Sequence, residues 1–250
     1  MLVSLIARTA EKDAWRTAVK ASRVCHMTFS IAARCARTGR FAVAVASSSP
    51  AVAARCAHLR SGVGAVTTQN VTDPRLGPRG LDLMALGASA DQARAILAES
   101  TPDAAYRQLT LIDARGRTAV FSGARTLGIH GEAQGRDVVS AGNLLAHSGV
   151  PWEIVAAFED HAAEDLGDRV LEAMAAGLAA GGEARPIRSA GLLMAGEVAW
   201  PIADLRIDWH EAPIAALAAL WQVWKPQMEA YVTRALNPGG APSFGVPGDA

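Results

Sequence analysis

The tightest constraint on this chain is a pair of short runs. Met27–Arg34 (MTFSIAAR) and Phe41–Ser47 (FAVAVAS) each have a strand's length, and Thr38-Gly39-Arg40 lies between them as a turn. The second run is almost continuously apolar, which suits a strand covered on both faces. Thr28 heads the first. If Thr28 were the first residue of the working protein, a hydroxyl and a free α-amine would share one residue. A threonine hydroxyl is a weak nucleophile alone, and an N-terminal amine is one of the few local bases that activates it.

Composition narrows the partners. The 250 residues give one domain as the default, and half of them are hydrophobic, enough for a sizeable core. Lys and Arg total 24 against 24 Asp and Glu, so there is no basic excess to hold nucleic acid or an anionic membrane surface. No apolar run approaches the ~18 residues of a membrane span. Cys25, Cys35 and Cys56 form no CxxC pair and leave one thiol over in any single bridge, which points to a reducing cytoplasm. The glycine patterns are neither a dinucleotide fingerprint nor a Walker loop, and no metal-ligand spacing is present. No cofactor or metal is expected.

Residues 1–26 carry no basic segment and no A-x-A site, so they do not read as a signal peptide. They are compatible with a start codon placed too early, with a propeptide cut before Thr28, or with a permanent extension. The last would acylate the amine and remove the base. The domain proper runs from 27 to 237, and 238–250 is a Pro/Gly-rich tail.

Five stretches in order carry a family likeness: MTFSIAARCARTGRFAVAVASSSPAV, RSGVGAVTTQNVTDPRLGPRGLDLM, YRQLTLIDARGRTAVFSG, VVSAGNLLA and DLRIDWH. Together they resemble the bacterial family catalogued as domain of unknown function 1028. The family is in turn similar in fold to N-terminal-nucleophile (Ntn) hydrolases. That resemblance implies an α+β chain folded as a four-layer αββα sandwich of two antiparallel sheets flanked by helices. It implies no particular substrate. Some members carry a peptidoglycan-binding module, which this chain lacks. Many members place a lysine near the end of the second strand, where this chain has Ser47-Ser48-Ser49. By the same likeness, Gly142 brings a backbone N–H close to substrate and Asn143 donates to an oxyanion.

The residues themselves allow blander roles. The serines suit a helix N-cap, and Asn143 suits a turn. Gln69 and Asn70 end a third buried strand and can hydrogen-bond an amide, while Arg79, in the loop Asp73–Gly80, can clamp a carboxylate by its planar fork or simply bridge loop carbonyls. A helix or turn is expected over Val52–Arg60, and helices from Leu81 to Leu86, from Ser89 (with Gln92 completing a capping box), after Pro151, over Leu166–Ala180, and over Pro213–Leu236. His130 is expected in a glycine-rich connection, and the acids between Glu159 and Asp168 on a solvated face. Arg188 and Ser189 begin a late strand. The wide apolar stripe of the last helix, with Trp224, Met228 and Tyr231, suits a contact between copies, so a homo-oligomer is expected. The functional expectation is hydrolysis of a small amide by Thr28, with Ser47, Gly142 and Asn143 around the oxyanion and Gln69, Asn70 and Arg79 choosing the substrate. The alternatives are a binding or assembly protein on the same scaffold, and a cyclic-amide hydrolase or deaminase using water directly.

Overall fold

The computed structural model describes residues 28–246. Met27, the segment 1–26 with Cys25, and the end of the tail from 247 lie outside the described residues. The two opening runs form β1 (Thr28–Arg34) and β2 (Phe41–Ser47), paired antiparallel with Thr28 opposite Ser47. Among the described residues they lie inside a six-stranded antiparallel sheet. Its other strands are β7 (Gly131–Gly135), β8 (Val138–Asn143), β9 (Ser189–Ala195) and β10 (Pro201–Ile207), in the order β10-β9-β2-β1-β8-β7. A second antiparallel sheet takes β3 (Ala57–Arg60), β4 (Gly64–Asn70), β5 (Arg107–Asp113) and β6 (Thr118–Ser122) in that order. The chain is therefore α+β.

Three apolar clusters follow from the period-2 alternation of these strands. Odd positions of β1 (Phe29, Ile31, Ala33) pack with α4 (Val150–Asp160), α5 (Leu166–Ala179) and α6 (Pro213–Trp224). The opposite face of the same sheet gives Ala32, Phe41, Val43, Val45 and Val139, which meet Ala57, Ala65 and Ile112 of the second sheet. The far face of that second sheet gives Val66, Leu109 and Leu111, packed on α2 (Leu76–Ala85) and α3 (Ala90–Ser100). Phe29 and Ile31 are fully buried, each stabilising the fold by roughly 1.5–3 kcal/mol.

The α3 capping box forms as expected: the Gln92 N–H donates to Ser89 Oγ at 3.1 Å, and the Ser89 N–H donates to Gln92 Oε1 at 2.8 Å. Four expectations are corrected. The helix or turn expected over Val52–Arg60 is one helical turn, α1 (Ala53–Cys56), which gives way to strand β3. α2 begins at Leu76, so most of the expected Asp73–Gly80 loop is helical. Pro78 sits in its first turn, where a missing N–H costs nothing. Gly77 lets the helix close on His58, since a Cβ there would stand 2.1 Å from the imidazole. The glycine-rich connection holding His130 is followed by an edge strand, β7. The last helix is broken: a 3-10 turn at Lys225–Gln227 separates α6 from α7 (Met228–Leu236), and Pro226 removes the hydrogen bond that would join them.

Asp165 and Asp168 of the expected acidic face both take Lys225, each at 2.6 Å. As far as residue 246 the tail folds back on its own α7, with the Arg234 guanidinium 3.7 Å from the Phe244 ring centre.

Candidate functional site

β1 lies between β2 and β8, so Thr28 has Ser47 opposite it on one side and Asn143 on the other. The three side chains share one end of the sheet. They point to the face shared with Ala32, toward the second sheet, because Phe29 and Ile31 take the helix side. Thr28 is 4% exposed.

Two hydrogen-bonded systems flank Thr28, one bonded to it and one ending at its neighbour Asn143. The first is a line of hydroxyls. Thr28 Oγ1 donates to Ser47 Oγ over a long 3.4 Å, and Ser47 Oγ lies 2.7 Å from Ser49 Oγ. Ser49 Oγ accepts from Arg55 Nη2, and the other arm of that guanidinium donates to the carbonyls of Pro50 at 2.7 Å and Ala51 at 3.0 Å. Ser189, at the start of β9, clamps this turn: its Oγ donates to Ser49 O at 2.6 Å and accepts the Val52 N–H at 3.2 Å. A cation thus stands at the far end of the serine line, although the lysine expected there from the family likeness is absent. It favours negative charge at the Thr28 end.

The second system is a layer of amides and hydroxyls between the sheets. Ser30 Oγ donates to Gln69 Oε1 at 2.7 Å. Gln69 Nε2 donates to Gln108 Oε1 at 2.8 Å and to Ala141 O at 3.1 Å. Gln108 Nε2 donates to Gly142 O at 3.1 Å and Ser122 Oγ at 2.9 Å. Thr67 and Thr110 bond each other at 2.7 Å. Carbonyls only accept, so Ala141 O and Gly142 O fix which end of each glutamine is nitrogen. Gln108 Oε1 is then an acceptor, and Asn143 must present its nitrogen there, at 3.1 Å. That leaves Asn143 Oδ1 fully buried and without a partner.

A third feature crosses the head of β1. Glu183 makes a bridge to Leu145 beyond the end of β8, and the Ala184 N–H donates to Leu144 O at 3.1 Å. Five residues on, the Arg188 N–H donates to Ser47 O at the end of β2, at 2.7 Å. A segment tied to the strand on either side of β1 must pass across its first residue. Within it the Glu183 carboxylate, 5% exposed, accepts the Ser48 N–H at 3.0 and 3.2 Å. Burial pushes this carboxyl up to about 8 from 4.5, against the opposing hydrogen bonds from Ser48.

The sequence-predicted residues are only partly brought together. Thr28, Ser47 and Asn143 are neighbours. Gly142 is one residue back, paired with Phe29 and Gly131; a Cβ there would stand 2.6 Å from Leu145 Cδ2, so glycine also serves packing. Gln69 joins the layer, with both ends of its amide bonded to protein. Asn70 has a left-handed backbone (φ 68°), and its side chain donates to Tyr106 O at 2.5 Å and accepts the Leu127 N–H at 3.2 Å. Arg79 is not beside Thr28: it lies on α2, beyond the second sheet, exposed and donating to Ser100 Oγ at 2.7 Å. His147 Nε2 bonds Ala180 O at 2.6 Å and joins no triad. Arg55, Gln108 and Glu183 were missed. The available signal for Gln108 was polar residues at alternate positions of otherwise apolar strands. Glu183 gave none, because it bonds Ser48, which is distant in sequence, whereas Arg55 acts locally, on Ser49, Pro50 and Ala51.

Comparison with known proteins adds a family and a fold, with no activity attached. No curated protein matches the chain. The crystal structure of protein SPO2555 from Silicibacter pomeroyi is similar, with a TM-score of 0.73 and 28% identity over 79% of this chain and 88% of that one. The model of a family of unknown function, DUF1028, matches residues 28–217, beginning at Thr28 itself, and the chain belongs to that family.

Proposed function

We propose that this protein is an amide hydrolase of the N-terminal-nucleophile type, working with Thr28 as its first residue. The single observation that carries the reading is the place of Thr28: head of a central strand, flanked in register by Ser47 and Asn143, facing the space between two sheets. Helices on the outer face of each sheet support the finer reading of the fold as an Ntn-like αββα sandwich.

In this reading Thr28 Oγ attacks the amide carbonyl and its own α-amine takes the proton through a water. The leaving amine departs with a proton, an ester remains on Thr28, and water hydrolyses it to a carboxylic acid. The line Ser47–Ser49–Arg55 stabilises the developing negative charge, a service worth roughly 3 kcal/mol per well-placed donor. We assign the oxyanion to the Ser47 side, because on the other side the Asn143 nitrogen is turned to Gln108, its oxygen is a buried acceptor, and Gly142 is paired between Phe29 and Gly131. Gln69 and Asn70 hold the site's walls, and Arg79 has no part in it. The substrate class is a small amide: an N-acyl amino acid, a peptide or a cell-wall fragment. Buried Cys35 and Cys56 thiols support a reducing cytoplasm, and exposed Val223, Tyr231 and Leu236 on α6 and α7 support a homo-oligomer.

Intact mass spectrometry of protein expressed from its native locus tests the first requirement, a chain that begins at Thr28. Turnover of a panel of N-acyl amino acids and peptides, compared with Thr28→Ala, tests the second, and equal turnover by both removes Thr28 from the mechanism. The burial of Thr28 favours a second reading, a binding or assembly protein on this scaffold. A mass that retains residues before Thr28, with no turnover, selects it.

A further inference from the structure

Two acceptors at the head of β1 are incompletely met: one has no donor, and the other has the Ser48 N–H but no cation. Asn143 Oδ1 is fully buried and unbonded, and its orientation is fixed by the carbonyls that orient Gln108 and Gln69. The Glu183 carboxylate is buried, and no cation among the described residues bonds it. Charged groups on the surrounding elements are otherwise engaged or set apart. Arg188 pairs with Glu211 at the start of α6, and His210 Nδ1 accepts the Ala212 N–H at 3.0 Å. His147, beyond β8, bonds Ala180 O, and Arg55 holds Ser49. Arg185 lines with Glu183 and Glu211 a cavity of about 480 Å³. A lone buried carboxylate is costly, and so is an orphaned amide oxygen. Native proteins keep such groups where something meets them.

We infer that the head of β1 is a receptor for an ammonium group, with Asn143 Oδ1 and the Glu183 carboxylate as its acceptors, and that the group is the α-ammonium of Thr28. Thr28 is the cross-strand neighbour of Asn143, and the segment bearing Glu183 passes over it. The inference rests on the reading of Thr28 as first residue. An aminopeptidase or peptidase supplies the group: water adds to the Met27–Thr28 amide, the C–N bond breaks, Met27 leaves as a carboxylate and Thr28 keeps its nitrogen as ammonium. Glu183 and Asn143 are then positioning residues. They hold the amine beside its own hydroxyl and keep it protonated near neutral pH, so that it serves as the base of the proposed reaction only in the fraction that has given up its proton.

The test compares the encoded chain with one that begins at Thr28, both verified by intact mass. In the second, [13C]threonine labelling lets the Thr28 Cα resonance, assigned by its loss in Thr28→Ala, report ionisation of the amine. We expect it to titrate above the ordinary range of about 7.7–8.0. Glu183→Gln should lower it by about one unit or more, and Asn143→Leu by less. Glu183→Gln should also lower Tm by several degrees in the chain beginning at Thr28, while leaving the encoded chain unchanged or more stable. An amine that titrates alike with and without Glu183, or equal Tm changes in both chains, overturns the receptor. If Glu183→Gln does not fold from Thr28, Asn143→Leu carries the titration alone, and an unshifted amine there overturns the inference. Turnover is read separately: a titration that answers to Glu183 without turnover keeps the receptor and removes the hydrolase, and turnover without that answer does the reverse.

Discussion

One buried carboxyl, Glu183, ties stability to pH in a window of its own. Glu183 holds its proton up to about 8 when folded, against 4.5 as its ordinary value. Between those values the unfolded chain has already released a proton that the folded chain keeps. Stability therefore falls as pH rises from about 4.5 to 8, and Glu183 contributes no slope outside that window. For the chain with Thr28 in amide linkage, we predict a lower Tm at pH 8 than at pH 5, and a flatter profile in Glu183→Gln. An unchanged slope in the variant would assign the dependence elsewhere. At this scale the places of Thr28 and Ser47 were legible as the head and end of paired strands, because register follows from turn length and pattern, while Asn143 was legible only through the family likeness. Glu183 was not, since nothing local in Gly181-Gly182-Glu183-Ala184 distinguishes a buried carboxylate from a solvated one. Arg79 misled for the converse reason. Its planar fork suits a carboxylate anywhere, and only the helix through Leu76–Ala85 shows that it faces Ser100.

Elements were readable where two local signals agreed. Ser89 and Gln92 marked the start of α3, and both reciprocal bonds are present. We predict that Ser89→Ala lowers stability by about 1 kcal/mol, seen as a shifted denaturation midpoint with unchanged slope. A change below a few tenths of a kcal/mol would mean that Asp113, whose Oδ2 accepts the Ala90 N–H at 3.1 Å, fastens this helix end unaided. Strands β3 and β7 were unreadable because Ala57-His58-Leu59-Arg60 has no β-branched residue and Gly131–Gly135 is bounded by glycines. Both are edge strands, held by a neighbour and not by their own propensity. The early start of α2 was hidden by Gly77 and Pro78, which read as a loop until a close-packed partner, His58, is known.

Across the whole molecule, the two sheets meet through a half-apolar, half-polar interior. Ala32, Val43, Ala65 and Ile112 fill one end, and Ser30, Thr67, Gln69, Gln108 and Thr110 fill the other. The alternation in Gln108-Leu109-Thr110-Leu111 suits a sheet face and leaves open which side the polar residues take. Gln108 is the hub of this layer, bonded to Gln69, Ser122, Asn143 and Gly142 O. We predict that Gln108→Leu costs about 1–3 kcal/mol for each buried group it strands, and lowers Tm more than Ser122→Ala does. Equal losses would make Gln108 a mere filler. The layer also acts as a proofreader of strand alignment. A one-residue slip in β4 or β5 would drive amide side chains into the oily seam beneath α2 and α3 and drop leucines among carbonyls. Mispaired chains are thereby rejected during folding, and the geometry around Thr28 comes out the same in every copy.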